Sequence, residues 1–338
     1  MREAAFAASC TEASCQYAPN YSLPSIVNTS SSGVVKARYQ PSARKHPLLR
    51  NLTAKLAATP MIATALVVFI GCSVWSVVYS FTSSKSLPRE NFVGLKQYDR
   101  LFSSSRWMES IENIAIYGVC ALVFSLVIGF GLAVALDQKI RFENTFRTIF
   151  LYPFALSFIV TGLVWQWILN PDFGIQQVIR DIGFSSFEFN LLASRDLSVY
   201  ALVIAGLWQG TGFVMALMLA GLRSIDQDIW KASRVDGIPA WRTYLFIVIP
   251  MMRPVFITTL VIIASGIVKV YDLVVALTDG GPGISSEMPA KYVYDYMFGR
   301  ANLGQALAAS TVMLSTVLII LIPWAYLEFS AKRDSKDA

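Results

Sequence analysis

Along the chain, apolar positions gather into six long runs separated by polar connections: Met61–Phe81, Ile111–Ala135, Ile149–Leu169, Val199–Leu222, Pro254–Thr278 and Ala308–Tyr326. Each is close to the ~20 residues a helix needs to cross the hydrocarbon of a bilayer. The pattern predicts an all-α fold, a polytopic membrane protein with six transmembrane helices. Residues 1–58 lack such a run, are rich in Ser, Pro and Ala, and are expected to be a disordered arm. The composition shifts near Val34, so translation from a codon near Val34 or Val35 is an expectation that N-terminal sequencing would test. The membrane domain is expected over residues 59–330, with a short tail at 331–338.

One connection breaks the pattern. Ile225–Pro250 is charged and amphipathic, with Asp226, Asp228, Lys231, Arg234 and Asp236 interleaved with Ile225, Ile229, Trp230 and Val235. Such a mixture suits a short helix lying at a membrane surface. Asp236-Gly237-Ile238-Pro239 then predicts a stop, because Gly accepts the left-handed conformation that ends a helix and Pro cannot continue one. A second helix, Ala240–Ile249, is expected to run to Pro250. Ala232 and Ser233 are small enough to let another protein approach closely; a surface helix with no partner is the alternative.

Composition agrees with the membrane reading: of 338 residues 55% are hydrophobic and 15% charged, outside the range of a soluble domain. The net charge of +6 is spread over connections, which argues against a nucleic-acid partner. Cys10, Cys15, Cys72 and Cys120 have no metal or redox spacing. The only His, His46, lies before the first run, which argues against histidine-ligated haem in the spans. With six spans both ends share one side. If that side is cytoplasmic, the inner segments carry 7, 3, 5 and 3 Lys and Arg and the outer loops 5, 2 and 2. The positive-inside rule then places both termini and the 225–250 loop in the cytoplasm.

Lys231-Ala232-Ser233, Asp236-Gly237 and Ile249-Pro250 together resemble the cytoplasmic loop of permeases of binding-protein-dependent ABC importers. That family has Glu-Ala-Ala, a Gly shortly after, and a closing Leu-Pro or Ile-Pro. Lys231 stands where Glu is usual and Ser233 where Ala is usual, which alters the charge offered to a partner. Outside the loop, Asn91-Phe92-Val93-Gly94-Leu95 with Tyr98, Asn170-Pro171-Asp172-Phe173-Gly174, and Leu277-Thr278-Asp279-Gly280-Gly281-Pro282-Gly283 are similar to segments of sugar permeases. The likeness covers about residues 60–326 and points to the maltose/glycerol-3-phosphate-type group, near the α-glucoside and glucose permeases. It implies that the 225–250 segment is a coupling loop docking on an ATP-hydrolysing subunit. It also implies a second homologous permease, an ATPase dimer that holds ATP and Mg, a periplasmic sugar-binding protein, and a place in the bacterial inner membrane. No cofactor, metal or catalytic residue is implied for this chain.

Polar residues inside apolar runs are costly, so they usually face a cavity or a partner. Lys269 and Asp272 in the fifth run are three apart and would share a helix face, with Tyr271 offering a ring to a sugar. A sugar pathway and a structural ion pair both fit. Asp272 matches the family pattern, Lys269 does not. Gln209, within Trp208-Gln209-Gly210-Thr211-Gly212, fits close helix packing or cavity lining. Trp165, Gln166 and Trp167 suit an interfacial aromatic belt. No Gly-x-x-x-x-Gly-Lys-Ser/Thr occurs, so the chain does not carry a phosphate-cradling loop of that kind, and the resemblance implies that ATP hydrolysis belongs to a partner subunit. An ion-gradient transporter coupled through Lys269 and Asp272 is the alternative, and a scaffold with no substrate is a third reading.

Overall fold

The computed structural model describes residues 58–138 and 140–337. The expectations placed on the arm, on Cys10, Cys15 and His46, and on Lys139 lie outside them. Thr64–Ala338 form one compact unit, to which the packing below belongs. Among the described residues the structure is helical, with an isolated antiparallel bridge between Thr82 and Phe92.

Four helices are long and apolar enough to cross a membrane: α1 (Ala58–Ser80), and after the short α2 (Lys96–Phe102), α3 (Ser105–Asp137), later α7 (Ser198–Arg223) and α13 (Leu303–Asp337, apolar through Tyr326). Two further candidates are bent pairs, which raises the number to six if each pair is one span. The predicted second span began at Ile111, whereas α3 starts at Ser105 and runs for 33 residues, about 50 Å at 1.5 Å per residue. That exceeds a ~30 Å hydrocarbon layer, and its N-terminal turn meets the loops at the end that the charge count predicts to be outer, called the outer end below.

The third run is not one straight helix. Helix α4 (Glu143–Leu151) continues into a tight 3-10 turn, Tyr152–Ala155, with Pro153 in its first positions. The chain then extends at Leu156 and restarts as α5 (Phe158–Ile168), 99° away. Proline removes a backbone donor and cannot sit quietly inside a helix, and Ser157 caps the restart by accepting from the Ile159 N–H at 3.3 Å. The break leaves the Leu156 carbonyl without a helical partner, and the Gln209 side-chain amide on α7 donates to it at 2.7 Å.

The short α6 (Ile175–Asp181) follows on the outer side, where Gly174 is packed so tightly that a Cβ there would lie 2.3 Å from the Ile168 carbonyl. The loop after α7 holds α8 (Gln227–Val235) and α9 (Ala240–Met251). A 71° bend then leads into α10 (Arg253–Val268). The predicted fifth span Pro254–Thr278 is also interrupted: α10 stops at Val268, and a separate α11 (Asp272–Leu277) completes it. No proline marks that gap; weak helix formers, Gly266 and the β-branched Val268 and Val270, are the only local signal. After the outer turn, α12 (Pro289–Tyr294) passes through a π turn, Asp295–Gly299, towards α13.

Helix α7 is the spine. More of its apolar stretch is enclosed (56%) than that of α3 (28%), α13 (22%) or α1 (0%). Its outer half packs Ala201, Leu202 and Ala205 with Tyr117 of α3 and Leu273, Val274 and Leu277 of α11. Its inner half packs Met215, Met218, Leu219 and Leu222 with Ala133 and Leu136 of α3 and Met252. A third cluster joins Leu101, Trp107, Tyr292 and Ala306 at the outer end. Small residues permit the close approaches. A Cβ on Gly129 would come within 2.7 Å of Val214, and one on Gly162 within 2.6 Å of Ala276. At Gly212 it would come within 1.9 Å of the Phe150 carbonyl, so α7 and the bent third span touch backbone to backbone.

That last contact gives a stability test. Gly212→Ala forces α4 off α7 and should cost about 1–3 kcal/mol, the usual penalty of overpacking, read as a lower unfolding temperature of the purified protein in detergent. Gly210→Ala, inside the same helix, where a Cβ meets nothing within 4 Å, should leave it unchanged or raise it slightly, since Ala favours a helix by up to about 1 kcal/mol over Gly.

Candidate functional site

The 225–250 loop is built by short-range chemistry. Asp226 caps α8, its carboxylate accepting from the Asp228 N–H at 2.9 Å. Asp228 in the first turn and Arg234 in the last both suit the helix dipole. Lys231 pairs with Asp228 at 2.8 Å, and both are exposed. At the other end the Ile238 N–H donates to the Ser233 carbonyl at 3.0 Å and the Gly237 N–H to the Arg234 carbonyl at 3.2 Å, with Gly237 at φ +67°. This is the Schellman arrangement, which needs a left-handed residue at that position. Pro239 then opens α9, which extends to Met251 and so contains Ile249 and Pro250, both half-buried.

The free surface of the loop differs from expectation in one residue. Ala232, Lys231 and Asp236 are exposed, but Ser233 is buried and donates its hydroxyl to the Trp230 carbonyl at 3.1 Å. It supports the helix from below and offers no small surface to a neighbour. Trp230 itself turns inward, edge-on to Tyr244 at 5.3 Å and packed against the inner core. The apolar side chains left on the outside include Val235, 87% exposed, Phe246, Leu245, and Trp241, 57% exposed with the Arg242 guanidinium over its ring.

The four polar residues singled out in the spans do not form one group. Gln209 is buried, with its amide bound to the Leu156 carbonyl and its own Oε1 without a partner among the described residues. It is a clamp on the break in the third span. Lys269, Tyr271 and Asp272 sit in and beside the gap between α10 and α11. The helix that was to align Lys269 with Asp272 ends between them, and among the described residues no ion pair joins the two. Both are exposed, while Tyr271 is half-buried with its ring 5.2 Å from Tyr294. The gap thus leaves an ammonium and a carboxylate exposed and a phenol half-buried. Trp165 also departs from a purely interfacial role, lying edge-on to Trp208 at 6.1 Å against the outer core, while Trp167 stays exposed.

A family model, described as binding-protein-dependent transport system inner membrane component, matches residues 125–333, the stretch that holds the bent spans, the loop and the gap. The chain belongs to this family. A probable ABC transporter permease of Pyrococcus horikoshii is 33% identical over 261 residues, covering 77% of this chain and 89% of that protein. A xylose/arabinose import permease of Haloferax volcanii is 29% identical over 274 residues, covering 80% and 86%. Among solved structures, a bacterial ABC transporter that imports the acidic polysaccharide alginate has the same fold: TM-score 0.70 at 18% identity, over 85% of this chain and 99% of that one.

The permease also carries a polar cluster that sequence inspection missed. At the outer end Arg106, on the projecting first turn of α3, bridges Glu287 at 2.5 Å and also Asp295. Lys291 joins Asp295 at 3.0 Å and Asp279 at 3.2 Å. Asn113 donates to the Glu287 carbonyl at 3.0 Å, and Arg106 lies over the stacked rings of Tyr292 and Tyr296. The cluster fixes the turn after α11. There Asp279, Gly280 and Gly283 have positive φ, and Ser286 donates to the Gly281 carbonyl at 2.7 Å, with its Oγ 2.8 Å from the Thr278 hydroxyl. The residues are far apart in sequence, which is why only the run Glu287…Lys291…Asp295 at four-residue spacing hinted at them.

Burial pushes the Glu287 carboxyl up, against the pull of Arg106. At Asp295 burial acts the same way, but the hydrogen bonds and charges of Lys291 and Arg106 outweigh it and hold the carboxyl below its ordinary value. A depressed carboxylate stabilises the fold above its unfolded value and loses that stabilisation as pH falls through the folded one. Asp295→Asn should therefore lower the unfolding temperature at neutral pH, and the gap to the parent should close as pH drops below the ordinary carboxylate range in a pH series of melts. Arg106→Ala strands buried Glu287 and should cost about 3 kcal/mol, most of it recovered in the Arg106→Ala, Glu287→Gln double variant.

Proposed function

We propose that this chain is the permease subunit of a sugar-importing ABC transporter, one half of a heterodimeric pathway completed by a second, homologous permease. A sugar-binding protein outside the inner membrane delivers the substrate, and an ATPase dimer that holds ATP and Mg below it drives the cycle. Both termini and the 225–250 loop face the cytoplasm. The observation that carries the proposal is the pairing, in a chain of this family, of a capped helix–turn–helix on the cation-rich side with a polar gap in the fifth span. Relatives named for xylose/arabinose import and for alginate import support a carbohydrate as cargo.

In this mechanism α8 is the lever. Lys231, Ala232, Asp236 and exposed Val235 and Trp241 meet the ATPase, while Ser233, Gly237, Ile249 and Pro250 hold the lever's shape. Trp230 and Tyr244 carry its movement into the inner core around α7. The spans then alternate between inward-open and outward-open arrangements as rigid bodies. At the gap, Tyr271 offers a ring face to a sugar, and Asp272 and Lys269 offer an acceptor and a donor to its hydroxyls; neither has to break an ion pair between them first. Gln209 serves that path indirectly, by fixing the bend of the third span.

Purification from the native host in mild detergent should recover an ATPase and a second permease, and in proteoliposomes the sugar-loaded binding protein should raise ATP hydrolysis. A chain that purifies alone would overturn the proposal. Gly237→Pro should insert normally yet abolish sugar uptake, because proline fixes φ near −65° where the turn needs a positive value. Tyr271→Ala should raise the sugar concentration needed for half-maximal uptake with ATP hydrolysis retained.

A further inference from the structure

Arg223 is the last residue of α7, at the point where the fourth span leaves the membrane and the loop begins. Its Nη2 donates to Glu143 Oε1 at 2.5 Å, and its Nε lies 3.7 Å from Asp137 Oδ1. Asp137 ends α3 and Glu143 starts α4, so one guanidinium holds both ends of the connection between the second and third spans. Phe142, just before Glu143, takes a left-handed φ of +74°, an uncommon state for a non-glycine residue. The backbone there is bent so that α4 begins facing Arg223.

The placement of Asp137 is informative. A carboxylate at a helix C-terminus opposes the helix dipole, whereas Glu143 at an N-terminus and Arg223 at a C-terminus both suit it. Asp137 is therefore placed for its partner and against its own helix. The three side chains are 24–42% exposed, and half-exposed pairs add little to stability. Stabilising the fold is a poor explanation for the group. Directly beneath it, Leu136 and Leu222 belong to the same core cluster, against which Ile225 and Trp230 of the loop are packed.

We propose that Arg223 is a positioning residue for energy coupling: it ties the root of the loop to the inner ends of the second and third spans, so that a displacement of α8 carries α3 and α4 with it. The proposal rests on the importer reading above. Core packing already joins α7 to α3 and, at Gly212 and Phe150, to the C-terminal end of α4. The guanidinium adds the N-terminal end of α4, whose far end leads into the bend at Leu156 clamped by Gln209, also on α7. The inner half of the third span is thus held to α7 at both ends, by Arg223 at one and Gln209 at the other, and swings as one piece with it.

The test uses the complete importer in proteoliposomes and compares sugar uptake with binding-protein-stimulated ATP hydrolysis. Arg223→Gln should lower the uptake per ATP hydrolysed about threefold or more, the scale on which coupling residues act, with the unfolding temperature of the complex unchanged. Arg223→Glu should do the same, and the swap Arg223→Glu with Glu143→Arg should restore a large part of the ratio. An unchanged ratio in Arg223→Gln, or a ratio that falls only together with the unfolding temperature, would overturn the proposal, as would a swap without rescue. Should the parent complex itself show no ATP-driven uptake, the importer reading fails, and this proposal fails with it.

Discussion

Hydrocarbon offers no water to a backbone carbonyl, so every helix that breaks within a membrane must find a substitute partner for what the break exposes. Here that partner is Gln209, whose amide caps the Leu156 carbonyl in the middle of the third span. Much of the inner half follows from this contact. It permits a 99° bend, and the bend lays α4 against α7 so closely that Gly212 meets the Phe150 carbonyl. It also brings Glu143 to Arg223. Glutamine is expensive in an apolar span and is retained where an amide must reach across to a neighbour.

The charged groups divide between the two ends of α3. At the outer end Arg106 and Lys291 draw Asp279, Glu287 and Asp295 into a network that fastens the turn after α11. At the inner end Arg223 gathers Asp137 and Glu143. From Ile114 to Leu136 the helix is largely apolar and packs on α7. The outer network includes a nearly inaccessible carboxylate on the turn, and removing its partner is costly. The inner group is open to solvent, contributes little to stability, and owes its interest to where it stands, between the spans and the loop.

The loop and the gap are also opposites in construction. The loop is locally determined: an aspartate cap, a Schellman ending at Gly237 and a proline restart, all within thirteen residues of Asp226. The gap between α10 and α11 has no such marker. It is held open by what surrounds it, with Val270 and Leu273 in the outer core and Tyr271 against Tyr294. Under the proposed function the loop is a lever, which needs a shape that survives transmission of force, and local bonds supply it. The gap is then part of a pathway, whose exposed polar groups within an apolar run only the surrounding helices can shelter.

The sequence by itself determined the class of the protein, the apolar runs, the cationic side, and the loop with its turn at Gly237. Those depend on hydropathy summed over ~20 residues and on bonds between near neighbours. It could not place the breaks well. The third run hides its bend because Pro153 is one residue in an apolar stretch, and the fifth hides its gap because nothing there but Gly266 and the β-branched Val268 and Val270 weakens the helix. For the same reason Lys269 and Asp272 looked paired: a spacing of three means a shared face only where the helix is continuous. The role of Gln209, the burial of Ser233, and the two charge groups around Arg106 and Arg223 were decided by tertiary structure. In each, the partner or the packing surface lies outside the local chain, and a hydrogen bond or ion pair between distant residues leaves no periodicity behind.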